Sequence, residues 1–157
     1  MAFLKAADAL EMAIGIETNG EAFYRAVAQK ARSPQVSAMF VDLANQEIRH
    51  RATFKKLSES VRDQLLMSAD EWDEYQNYLQ ATVSSALFEG PDKALAAAEQ
   101  VVDEQEALRM AIGFEKETLL FFYSLRDVVS TGSQEMIRRI IDEERSHVKR
   151  LAGMLAQ

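Results

Sequence analysis

The residues that could do chemistry sit in two short stretches, EIRH at 47–50 and EERSH at 143–147. Both hold a glutamate three positions before a histidine: Glu47 with His50, and Glu144 with His147. On a helix that spacing places carboxylate and imidazole on one face, a turn apart. The face in question is apolar. Along the first stretch Phe40, Leu43, Glu47, His50, Phe54 and Leu57 follow steps of 3, 4, 3, 4 and 3, and Ile137, Ile140, Glu144, His147, Leu151 and Met154 repeat them. This is the seam by which a helix packs into a bundle. Ionisable groups there are costly unless something compensates them.

Two further glutamates occupy the same kind of position. Leu10, Glu17, Tyr24 and Ala31 recur at intervals of seven, and so do Leu108, Glu115, Phe122 and Val129. The two halves are also related: AIGIE at 13–17 returns as AIGFE at 111–115, and Glu47 with His50 returns as Glu144 with His147. A duplicated helical hairpin accounts for both matches. Glu17 and Glu47 are centred on residue 32, Glu115 and Glu144 between 129 and 130. Each glutamate therefore lies ~22 Å along its helix from the bend, so the partners within a hairpin face one another. Because these levels fall mid-helix, the two hairpins can bring their pairs together whichever way the second is inverted.

Four carboxylates in a dry interior would each cost several kcal/mol, against a total stability of roughly 8 to 20 kcal/mol for a chain of this size. Arg49, Arg51, Arg145 and Lys149 point elsewhere by helical phase. Divalent metal ions answer the problem better. Four carboxylates and two neutral imidazoles can serve two ions with bridging carboxylates between them, and hard oxygen with borderline nitrogen suits Fe or Mn, with Zn possible in vitro.

The elements that must position these groups are punctuated clearly. Helical period runs from about Ala6 to Ala31, and Ser33 with Pro34 supplies an N-cap and first helical residue for a second helix to about Ser58. Ser68 with Glu71 forms a capping box opening a short helix, EGPDK at 89–93 is a break, and Asp103 with Glu106 caps a third long helix to about Val129. STGS at 130–133 turns the chain into a fourth, ending near Leu155. The expected fold is all-α: a four-helix bundle of two hairpins, 6–58 and 103–155, within a single domain 1–157. A partly helical crossover, 59–102, is too long for a simple turn and is expected to run from one end of the bundle back to the other. Its Trp72, Tyr75 and Tyr78 read as packing residues.

Composition narrows the function. A net charge of -7 and a pI near 4.9 argue against a nucleic-acid surface. No stretch is long and apolar enough for a membrane span, and the start lacks the apolar run of a signal peptide, so the expected location is cytoplasmic. With no cysteine there is neither disulfide nor thiolate ligand.

The constellation resembles the ferritin-like di-iron carboxylate proteins, which supply one Glu from each of two helices and Glu-x-x-His from each of the others. ETNGEAFY at 17–24 with EIRH, and EKETLLFFY at 115–123 with EERSH, are similar to the two halves of the rubrerythrin and erythrin pattern. That resemblance implies Glu17 and Glu115 as terminal carboxylates, Glu47 and Glu144 as bridging ones, His50 and His147 as one nitrogen ligand for each of two Fe ions, and a homodimer. Three departures accompany it. The cysteine-bound iron module of rubrerythrins cannot be present, so electrons must come from an external donor such as a rubredoxin-like protein. Thr118 stands where the peroxidase members carry an extra Glu, and Phe122 where a Tyr is expected, with Tyr123 displaced by one.

The expected activity is an oxidoreductase reducing peroxide or dioxygen, with a role in oxidative stress. Tyr24 would act as hydrogen-bond donor or electron source at the centre, or serve only in packing. Iron sequestration or delivery through a ferroxidase site is the alternative, and a purely structural metal site a third reading. Glu21, one turn after Glu17, is either a supplementary ligand or a carboxylate outside the ligand set.

Overall fold

The computed structural model describes residues 3–61, 65–82 and 89–157. Four long helices carry the seams: α1 (Ala6–Lys30), α2 (Pro34–Ser60), α5 (Glu104–Val128) and α6 (Thr131–Leu155). Two shorter ones, α3 (Ala69–Thr82) and α4 (Pro91–Gln100), belong to the crossover. Positions 62–64 and 83–88 of the crossover lie outside the described residues.

Local chemistry sets the boundaries. The Ser33 hydroxyl accepts from the Val36 amide, and Pro34, which needs no amide partner at the first turn, opens α2. Asp103 accepts from the Glu106 amide at the start of α5, and Ser68 and Glu71 exchange the bonds of a capping box at the start of α3. Among the described residues the sequence did not suggest a short antiparallel pair, β1 (Phe3–Lys5) with β2 (Leu65–Ser68), in which Phe3 is in register with Ser68 and Leu4 with Met67. It ties the chain before α1 to the chain after α2, two ends that the hairpin brings together.

The hairpins are inverted. At the end of α1 the Lys30 ammonium donates to the carbonyls of Ala98, Glu99 and Val101, closing the C-terminus of α4. Glu104, the first residue of α5, accepts the amides of Arg32 at 2.6 Å and Ser33 at 2.7 Å. The α1–α2 bend thus sits at the start of α5, and the α5–α6 bend lies at the far end. The crossover spans the bundle as its length required.

The seams become the core. Leu10, Phe40, Leu43, Phe54, Leu108, Phe122, Ile137 and Leu151 are buried, with Phe54 against Phe122 at 5.1 Å between ring centres. Trp72 and Tyr75 pack on this core as expected, whereas Tyr78 is 52% exposed.

Candidate metal centre

All six seam residues arrive at one level in the bundle interior, and none is more than 2% exposed. α1 supplies Glu17, α2 supplies Glu47 and His50, α5 supplies Glu115, and α6 supplies Glu144 and His147. They form two overlapping groups, each able to offer one ligand atom per residue within 4.8 Å of the others: Glu17, Glu47, His50 and Glu144, and Glu47, Glu115, Glu144 and His147. Glu47 and Glu144 belong to both groups, Glu17 and Glu115 to one each. The imidazoles lie nearly parallel, 5.8 Å apart.

Both histidines turn Nδ1 inward. His50 Nδ1 lies 3.0 Å from Glu144 Oε1 and 3.6 Å from Glu17 Oε2, and His147 Nδ1 lies 2.7 Å from Glu144 Oε2 and 3.3 Å from Glu115 Oε1. Despite these approaches, both oxygens of Glu17 and of Glu47, Oε2 of Glu115 and of Glu144, and Nδ1 of His147 have no hydrogen-bond partner. Buried polar atoms are rarely left so. Among the described residues no lysine or arginine is paired with any of the six: Arg51 goes to Glu21 at 2.8 Å, and Arg145 to Asp142 at 3.7 Å. Unpartnered oxygen and nitrogen donors converging on shared points fit a pair of hard or borderline cations.

Electrostatics say the same. Burial and the neighbouring Glu144 charge push Glu17 well above the ordinary carboxylate range, and burial with the Glu17 charge does so for Glu47. Burial, then Glu144, raises Glu115 to about 8. Burial alone would lower the histidines, but it is outweighed: Glu144 lifts His50 to about 9, and Glu115 with Glu144 lifts His147 to about 10. Burial likewise opposes ionisation of Glu144 and is overcome by His147 and His50, which hold it well below the usual range. With protons as the only counter-charge, Glu144 stays ionised beside the two imidazoliums, and the other carboxylates are displaced toward their protonated forms.

Tyr24 is at the site, fully buried, and its hydroxyl donates to Glu115 Oε1. Its ring stacks on Phe40 and meets Phe114 edge-on. Glu21 is turned away into an ion-pair cluster with Arg25 and Arg51. Thr118 is buried one turn beyond Glu115, with its hydroxyl unpartnered. Gly20 matters through what it lacks: a Cβ there would stand 2.8 Å from Phe114 Cε1 and 3.1 Å from Glu47 Oε2.

Two residues at the site escaped the sequence reading. Glu143 Oε2 lies 2.7 Å from His50 Nε2, and Gln46 Oε1 lies 2.7 Å from His147 Nε2. The signal was available, since each immediately precedes a seam glutamate and the two are equivalent positions of the duplicated hairpin.

A four-helix bundle with an interior level of four glutamates and two histidines defines the ferritin-like di-iron carboxylate class. The chain aligns over 100% of its length with 98% of a provisionally described ferritin-like diiron-carboxylate protein from Thermotoga maritima, at 26% identity and a TM-score of 0.70. The sequence pattern of the rubrerythrin family matches residues 8–104, and the chain belongs to that family. The match takes in Glu17, Glu47 and His50; Glu115, Glu144 and His147 lie beyond it and are placed by the fold. No curated protein matches the chain. Family and cluster together point to a di-metal site. Among the described residues no helix is long and apolar enough to cross a membrane.

Proposed function

We propose that this chain is a di-iron oxidoreductase, or one with a mixed iron and manganese pair, that reduces peroxide or dioxygen with electrons supplied from outside. The observation that carries the reading is the set of seven buried ligand atoms without a hydrogen bond, on residues contributed by all four long helices. When bound, such a metal pair supplies one electron from each ion and two Lewis-acid positions.

The chain's own residues do the rest. Glu47 and Glu144, common to both groups, would bridge, while Glu17 and Glu115 would each close one position and His50 and His147 each give one nitrogen. The Tyr24 hydroxyl fixes the rotamer of Glu115 and sets an oxidisable ring against a ligand. Phe40 and Leu43 on one side and Phe54 and Leu57 on the other keep bulk water out. Reduction of peroxide to two waters consumes two electrons and two protons. In this reading the electrons come from a separate donor such as a rubredoxin-like protein, to a homodimer in the cytoplasm.

The test is anaerobic loading with ferrous iron, a metal count, and titration with peroxide. The diferrous signature should be lost at close to one peroxide per pair. Oxidation no faster than that of free ferrous ion in the same buffer would end the proposal. Retention of many irons per chain in a closed cage, seen by light scattering, would instead establish the sequestration reading.

A further inference from the structure

The duplicated hairpins are not equal at one point, the outer nitrogen of each histidine. The pattern is reciprocal: α6 supplies Glu143 to His50 of α2, and α2 supplies Gln46 to His147 of α6, both at 2.7 Å. Each Nε2–H donates outward, so that once a metal displaces the inner proton the Nδ1 lone pair would face the cluster, the arrangement that fixes the tautomer of a metal-binding imidazole. One acceptor is a carboxylate and the other a neutral amide.

The amide's orientation is settled by its surroundings. Gln46 Nε2 donates to Asp42 Oδ2 at 2.8 Å, and Asp42 Oδ2 also holds Arg150 Nη1 at 2.8 Å. The Gln46 oxygen must therefore be the atom facing His147. His147 ends a chain of Gln46, Asp42 and Arg150, in which the carboxylate is matched by a guanidinium. His50 ends directly on Glu143, half exposed at 52%, with no cation between them. The positions equivalent to Asp42 and Arg150 in the other hairpin are Arg139 and Thr53, so the chain has no counterpart there.

From this difference we propose that Glu143 and Gln46 are positioning residues that make the two metal positions unequal, with the His50 position the tighter and the first to fill. A carboxylate accepting the Nε2 proton raises the donor strength of Nδ1, and an amide does so less. The proposal rests on the six-residue ligand set of the proposed function.

Anaerobic calorimetric titration with Co²⁺ tests it, together with the hyperfine-shifted imidazole N–H proton resonances of the cobalt-loaded protein. The unaltered protein should bind in two steps with affinities about tenfold apart, the lower end of the range for such partners because Glu143 is half exposed. Glu143→Gln should weaken the first step about tenfold and bring the two together, and Gln46→Glu should strengthen the second. The double exchange should restore two steps while reversing which histidine's N–H shifts first, something a merely structural role for either side chain would not do. If two ions bind but the steps do not move in either variant, the inequality proposed here is wrong and the ligand set stands. Failure of the unaltered protein to bind a pair would overturn both.

Discussion

Loading the cluster with metal should expel protons, and the number can be worked from the environment of each ligand. Ligating atoms must be deprotonated. At pH 7, Glu115 near 8, His50 near 9 and His147 near 10 each hold a proton, and Glu17 and Glu47 are displaced in the same direction. Glu144, already ionised, contributes none. Binding two divalent ions should therefore release at least about three protons, so that each unit fall in pH weakens the overall two-ion constant by at least about a thousandfold. Calorimetry with Mn²⁺ or Co²⁺ in buffers of different ionisation enthalpy counts the protons directly.

Stability without metal should move the opposite way. Glu115, His50 and His147 have folded values above their ordinary 4.5, 6.5 and 6.5, so the protein binds more protons folded than unfolded. Their contribution is complete below the ordinary values and is lost as pH rises through about 8, 9 and 10. Glu144, displaced downward, is stabilising above its ordinary value and loses that contribution only in acid. The gap in Tm between loaded and metal-free protein should widen steadily from pH 6 to pH 8. Release of less than one proton at pH 7, or a gap that stays constant or narrows, would refute the electrostatic account of the cluster.

Glu144→Ala removes an oxygen donor from both groups and should leave fewer than two ions per chain by metal analysis; two retained ions would mean the bridge is misassigned. Gly20→Ala forces Phe114 or Glu47 to shift and should cost about 1–3 kcal/mol in denaturant unfolding, with a loss of metal affinity that a remote packing fault would not give. Tyr24→Phe should keep two metals yet free the Glu115 carboxylate, to be read as a changed spectrum of the loaded centre. Glu104→Ala strips the acceptor from two amides at the α1–α2 bend and should lower stability by about 1–3 kcal/mol without altering metal stoichiometry.

The seams of α2 and α6 were legible because a 3-4 alternation containing Glu and His has few physical explanations, those of α1 and α5 because a spacing of seven carried a single Glu, and the level of each glutamate followed from counting to its bend. Ser33, Ser68 and Asp103 announced their helices by local chemistry. The pairing of Phe3–Lys5 with Leu65–Ser68 was not legible, because two short segments some sixty residues apart become neighbours only once α1 and α2 close. The commitment of Tyr24 to Glu115, of Glu21 to Arg51 and of Gln46 to His147 depends on contacts between helices, which periodicity within one helix does not report. Tyr78 failed for a simpler reason: aromaticity alone does not say which side of a short helix turns inward.

The sharing of ligands between the hairpins bears on how the chain reaches its native state. Each group of ligands draws on both halves, so an isolated hairpin presents an incomplete claw, and mutual repulsion among its carboxylates works against early docking. Docking of the two hairpins is what completes both ligand groups, and a cation present at that moment would act as the clasp.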